Sequence, residues 1–183
     1  TGFIGSKFVE LLLRQGIDVL ALGRRDLEDV IPARVKMLEG AQYLKVNMDS
    51  VGLLQSRIET IKWEVSKDCV FFNLSWFGQV KLSDLSVEAQ LRNVSYSVDA
   101  LEIASKIGCS RFIQIGTMEE AFTHRYLELD HKSHTFYNRH VIYSVAKISA
   151  KNSLEVRSSQ LGMDFIYVLH SHVMGPYDDK DSF

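Results

Sequence analysis

The chain has 183 residues, 46% of them hydrophobic and 24% charged, with a net charge of −2. That length supports one domain with a real core, and a charge so close to zero gives no electrostatic footprint for nucleic acid or an anionic membrane surface. The two cysteines, Cys69 and Cys109, lie in or beside apolar runs, which suits a reduced cytosolic interior, and no apolar run is long enough to span a bilayer.

Thr1-Gly2-Phe3-Ile4-Gly5-Ser6 opens a helix with the apolar stripe Ile4, Phe8, Leu11 and Leu12, stopped by Gly16. Gly2 and Gly5 are spaced as the second and third glycines of a Gly-x-x-Gly-x-x-Gly turn, in which a pyrophosphate approaches bare backbone at a helix N-terminus. The first glycine of that turn, and the strand before it, would lie upstream of Thr1. Asp18 to Leu22 reads as a short buried strand ending at Gly23-Arg24-Arg25. It falls about 20 residues past the turn, where a dinucleotide fold meets the adenosine ribose. An acid there would suit a free 2′-hydroxyl; two arginines suit a 2′-phosphate, so NADP is expected over NAD.

Gln42 to Val46 is the next strand, leading to a helix capped by Ser50 with the stripe Val51, Leu54, Ile58 and Ile61. Cys69 to Ser75 is a near-continuous apolar strand, as expected where both sheet faces are covered. Ser83 to Ile107 is a long amphipathic helix carrying Val87, Leu91, Val94, Val98 and Leu101, closed by Gly108. Arg111 to Ile115 is a buried strand ending at Gly116-Thr117-Met118-Glu119-Glu120. A loop follows, then a helix to about Gln160 ended by Gly162, and a last strand from Phe165 to Leu169. Strand and helix alternate throughout, which predicts a parallel α/β sheet.

The last helix carries Tyr143-Ser144-Val145-Ala146-Lys147. A tyrosine and a lysine four residues apart share one helix face, and an adjacent ammonium favours the phenolate. Such a pair can move a proton to or from an alcohol while a cofactor moves a hydride. His124, His131, His134 and His140 crowd the preceding loop, and His131 and His134 have ligand-like spacing. With no cysteine or carboxylate well placed beside them, they read as surface histidines and no metal is expected. The acidic tail Asp178 to Asp181 reads as a solvated loop.

The series Thr-Gly-Phe-Ile-Gly, the strand ending Asn-Leu-Ser, Asn93 on the long helix, Ile-Gly-Thr, Tyr-Ser-Val-Ala-Lys and Met-Gly-Pro runs in one order across the chain. It resembles the extended short-chain dehydrogenase/reductases, specifically the NAD-dependent epimerase/dehydratase group acting on nucleotide sugars. The resemblance implies a doubly wound, Rossmann-type parallel sheet with the cofactor across its C-terminal strand ends. It assigns residues 1–176 to an NAD(P)-binding domain and 177–183 to the start of a substrate lobe. On that reading the chain is a fragment of a longer enzyme that folds poorly and lacks activity alone.

By position the resemblance places Gly2, Phe3, Ile4 and Gly5 against the pyrophosphate, Arg24 near the adenosine ribose, and Asn47 and Met48 near the adenine. Leu74 and Ser75 pass beneath the dinucleotide. Thr117 matches the residue that hydrogen-bonds the reacting hydroxyl or carbonyl, Tyr143 the acid/base, and Lys147 the residue that holds the nicotinamide ribose and lowers the tyrosine pKa. Glu119 sits where some family dehydratases keep a glutamate base, or is a structural carboxylate, whereas Met118 replaces the aspartic acid of 4,6-dehydratases. Leu169 replaces a usual arginine, and His172 a usual asparagine near the substrate diphosphate. The implied function is a nucleotide-sugar epimerase or 4-keto reductase, cytoplasmic and homodimeric through two long helices. The alternatives are a dehydratase, a reductase of a non-sugar carbonyl, and a non-catalytic NAD(P)-binding module.

Overall fold

A computed structural model describes residues 2–78, 86–132, 140–171 and 173. They form two compact units, one of residues 2–63 together with Val173 and one within residues 64–171.

In the first unit, helix α1 (Phe3–Arg14) is followed by Gly16, whose φ of 72° reverses the chain. Ser6 is its one fully buried residue, its hydroxyl donating to the Gly2 carbonyl at 2.8 Å, whereas Leu11, expected on the buried stripe, is exposed. Strand β1 (Leu20–Gly23) pairs in parallel with β2 (Gln42–Lys45), with Leu20 opposite Gln42 and Gly23 opposite Lys45. A 3₁₀ turn at Leu27–Asp29 and the short α2 (Pro32–Lys36) lie between them; neither is signalled by apolar periodicity. After β2 the chain enters a 3₁₀ segment, Met48–Leu53, and then α3 (Leu54–Thr60). Ser50 is not the cap expected of it. Its φ of −125° sits at a kink, and the Asn47 side chain caps the turn by accepting from the Met48 N–H. The stripe itself holds, with Val51, Leu54 and Ile58 buried.

The second unit is a three-stranded parallel sheet in the order β3 (Val70–Asn73), β4 (Arg111–Ile115), β5 (Asp164–Val168). Helix α4 (Val87–Lys106) joins β3 to β4; the short α5 (Thr123–Leu127) and the long α6 (Val141–Leu161) join β4 to β5. Ser86 caps α4, and Gly162 ends α6 in the left-handed conformation at φ 64°. The core is centred on Phe112, stacked between Phe71 at 5.5 Å and Phe165 at 6.5 Å and closed by Leu101, Ala104 and Leu154. Burial of each of the large side chains is worth about 1.5–3 kcal/mol.

Helix α4 buries only the C-terminal part of the stripe that its apolar pattern suggests, where Leu101 is fully buried and Val98 packs against the core. Val87 and Leu91 are 51% and 49% exposed, whereas Gln90, Asn93 and Ser97 are buried. Small residues on the inner face let α4 pack closely against α6, and the two buried amides bond the loop that follows β3, which offsets their burial.

Candidate active site

The C-terminal end of β4 is built around Gly116. A Cβ there would meet Tyr167 Cζ at 2.7 Å and Glu120 Oε1 at 2.8 Å, so only glycine fits. Thr117 caps the 3₁₀ turn Met118–Phe122 in a reciprocal arrangement. The Glu119 N–H donates to Thr117 Oγ1 at 3.4 Å, and the Thr117 N–H donates to Glu120 Oε1 at 2.8 Å. The Tyr167 hydroxyl, from β5, donates to the same Glu120 oxygen at 2.7 Å. Burial first, and then that carboxylate, raises the Tyr167 pKa.

Tyr143 lies in the first turn of α6, its phenol near enough to the Thr117 side chain for that side chain to lower its pKa. Lys147 follows one turn later, buried, donating to the Ile115 carbonyl at 3.0 Å. Its ammonium sits 3.8 Å above the Trp76 ring and 5.8 Å from the Tyr143 ring centre. Trp76 in turn meets Tyr143 edge-on at 6.0 Å. The loop carrying Trp76 is pinned to α4: the indole N–H donates to Gln90 Oε1 at 2.9 Å, and Asn93 both accepts from the Phe77 N–H at 2.7 Å and donates to its carbonyl at 2.6 Å.

The electrostatics differ from the sequence expectation that Lys147 lowers the Tyr143 pKa. Burial pushes the phenol up to about 12; the nearby Thr117 side chain pulls it down, and the carboxylates of Glu120 and Glu119 push it further up. Burial also brings Lys147 down to about 7, opposed by Glu120. The physical reason is the placement of the ammonium, which is engaged by an indole face and a carbonyl in a desolvated setting rather than by the phenol oxygen.

Glu119 is held by two side chains: its carboxylate accepts from the Tyr126 hydroxyl and faces His140 Nδ1 at 2.9 Å. His140 is therefore not the surface histidine expected. It is buried at the N-terminus of α6, edge-on to Tyr126. His124 and His131 are exposed, while His134 and His172 lie outside the described residues. Among the described residues no three metal-ligating side chains gather.

The cofactor candidates divide between the units. Leu74 and Ser75 follow β3 in the second, with the Ser75 N–H held by Asn73 Oδ1 at 3.2 Å. In the first, Gly2 caps α1 with no capping side chain among the described residues, and open space surrounds its missing Cβ. Phe3, Ile4 and Gly5 therefore head a 12-residue helix whose first N–H groups suit a pyrophosphate. Arg24 is exposed just beyond β1, and Asn47 and Met48 follow β2.

Trp76, Gln90 and Tyr167 were missed by the sequence reading. The signal for Trp76 was its place directly after Ser75 at a strand end, where ligands gather in such sheets; nothing local marks Gln90 or Tyr167.

The model of the NAD dependent epimerase/dehydratase family matches residues 1–183. The chain belongs to that family. Solved structures show its Rossmann-type α/β fold again. UDP-glucose 4-epimerase of Thermotoga maritima with UDP-glucose is 21% identical at a TM-score of 0.67, over 97% of this chain and 55% of that one. UDP-glucose 4-epimerase of Thermus thermophilus in complex with NAD is 19% identical at a TM-score of 0.69, with the same coverage of 97% and 55%. The Bordetella bronchiseptica enzyme WbmH in complex with NAD+ is 18% identical at 0.65, over 97% and 55%. This family member thus spans about half the length of the structures it matches. No curated protein matches it significantly.

Proposed function

We propose that this member of the epimerase/dehydratase family serves a nucleotide-sugar 4-epimerase or 4-keto reductase that uses a nicotinamide dinucleotide. The observation that carries the reading is the approach of the Tyr143 phenol to the Thr117 side chain at the C-terminal end of β4, with Lys147 one turn further along α6, bonded to the Ile115 carbonyl. Gly2, Phe3, Ile4 and Gly5 would hold the pyrophosphate, Asn47 and Met48 the adenine, Leu74 and Ser75 the underside of the dinucleotide, and Lys147 the nicotinamide ribose. When bound, the nicotinamide supplies hydride transfer. Thr117 orients the sugar oxygen at C4, and Tyr143 exchanges its proton with that oxygen. A phenol held at about 12 is protonated at neutral pH, so Tyr143 is poised to donate to a carbonyl oxygen.

UDP-sugars are the substrate class favoured by the named neighbours, and His172 would meet the diphosphate. The preference for NADP rests on Arg24 and Arg25, both exposed, and on Asp26 being paired with Lys45; the neighbours' own complexes are with NAD. A homodimer through α4 and α6 would cover the exposed Val87, Leu91 and Val156, and a cytoplasmic location suits two free thiols. Dehydration is a second reading, favoured by Glu119 lying close enough to raise the Tyr143 pKa; there Glu119 would be the base.

The test is incubation of the full-length protein with NAD or NADP and a panel of nucleotide sugars, following cofactor absorbance and product stereochemistry. Inversion at C4 without net cofactor use marks an epimerase, and stoichiometric oxidation of NADPH or NADH marks a reductase. Loss of water marks the dehydratase reading, and no turnover on any sugar overturns all three.

A further inference from the structure

Cys69 and Cys109 play no part in the site described above. Cys69 immediately precedes β3 and Cys109 lies two residues before β4, so both sit at the amino ends of adjacent strands, away from Thr117 at the carboxyl end. Their sulfurs are 3.4 Å apart, with Cys109 donating to Cys69. Both are free thiols, Cys109 buried and Cys69 half-buried. The backbones are fixed on both sides of the pair. Ser110 donates twice to the Cys69 carbonyl, from its N–H at 2.9 Å and its hydroxyl at 3.1 Å. The Cys109 N–H is tied to the Ala104 carbonyl at 3.0 Å, beyond a turn that Gly108 makes at φ 92°.

We propose that Cys69 and Cys109 are a redox modification site, a dithiol that a hydroperoxide converts to an intrachain disulfide. Closing the gap from 3.4 Å to a bond of about 2.05 Å asks for a movement of about 1.4 Å, within reach of side-chain rotation between backbones already held side by side. Cys69 is the attacking sulfur, because it is the less buried of the two and the hydrogen bond from Cys109 stabilises its thiolate and lowers its pKa. That same hydrogen bond, then burial, keeps Cys109 protonated. The Cys69 thiolate attacks one peroxide oxygen and the O–O bond breaks. The alkoxide, or hydroxide from hydrogen peroxide, leaves and takes up a proton, and Cys69 becomes a sulfenic acid. Cys109 sulfur then attacks Cys69 sulfur; the S–S bond forms, the S–O bond breaks, and water departs with the Cys109 proton. Two thiols lose two electrons in total, and one peroxide gains them. The bridge closes the segment from Cys69 to Cys109, which contains the Trp76 loop and all of α4, so it removes conformational freedom from the unfolded chain.

The test treats the full-length protein with one equivalent of hydrogen peroxide under non-reducing conditions. The expected result is loss of both free thiols, a mass lower by two hydrogen atoms, an unchanged oligomeric size, a Tm several degrees higher and full reversal by dithiothreitol. Cys109→Ser should instead leave a sulfenic acid at Cys69 that dimedone traps, and Cys69→Ser should leave the Cys109 thiol unreacted. Two thiols persisting in the wild type after treatment would overturn the proposal, as would their loss through crosslinks between chains or a dimedone adduct in the wild type equal to that of Cys109→Ser. None of these readouts depends on which reaction the protein catalyses, so a negative result here leaves the epimerase reading standing, and the reverse also holds.

Discussion

Replacing Lys147 with methionine tests the electrostatics of the site through stability. In the folded protein, burial brings this lysine from 10.5 to about 7. Each step of one in pKa is about 1.4 kcal/mol, so the folded state carries a penalty of up to about 5 kcal/mol when Lys147 is charged. Below about 7 both the folded and the unfolded chain hold the proton, and the penalty is full. Between about 7 and 10.5 the unfolded chain keeps a proton that the folded chain has released, so stability rises with pH across that window. Above it the penalty is gone. Lys147→Met keeps most of the stem's volume and removes the titration, at the cost of about 1 kcal/mol for the donor lost to the Ile115 carbonyl. The methionine variant should therefore be more stable by a few kcal/mol at about pH 6, with the advantage shrinking toward about pH 9. Urea unfolding of both proteins at matched pH values measures this. A difference between them that stays constant with pH, or a methionine variant less stable at low pH, would refute the reasoning.

Three further outcomes follow from the same geometry. Gly116→Ala drives a methyl group into Tyr167 and Glu120, and should cost about 1–3 kcal/mol in urea unfolding; in a Tyr167→Ala background most of that cost should vanish, and simple additivity would count against the packing argument. Glu120→Gln removes a carboxylate that raises Tyr143, so ultraviolet titration should find the tyrosinate forming at lower pH than the wild-type value of about 12, with Tyr143→Phe assigning the signal. Leu154→Ala opens a cavity beside Phe112 and should cost about 2–5 kcal/mol, read as a lower midpoint in urea with the m-value unchanged.

Much of this architecture was legible in the chain because two periodicities carry it. β4 runs from Arg111 to Ile115, as its apolar run indicates, and α6 ends at Gly162 because a left-handed residue was needed there. The inner face of α4 was legible at Val98 and Leu101 but not in its first half. Pattern reading follows Val87 and Leu91, but this helix buries Gln90 and Asn93, whose amides are satisfied by Trp76 and Phe77 some 14 and 16 residues away in sequence. Partners that distant leave no local trace. That Thr117 and Tyr143 lie near one another was readable from motif order, since a strand end and a helix start on neighbouring elements have few places to go. The state of Lys147 was not, because it depends on burial and on an indole face rather than on spacing. His140 was misjudged for a related reason: a histidine in a polar loop looks solvated until Glu119 and Tyr126 are seen to enclose it.

The account rests on Tyr143 as the group that exchanges a proton with the substrate oxygen beside Thr117. Its most direct test is turnover of a nucleotide-sugar substrate by full-length Tyr143→Phe against wild type, with both proteins shown to melt cooperatively and to bind the dinucleotide equally. A loss in kcat of about 10²–10⁴-fold is predicted, with little change in cofactor affinity. A phenylalanine enzyme turning over within a few-fold of wild type would contradict it.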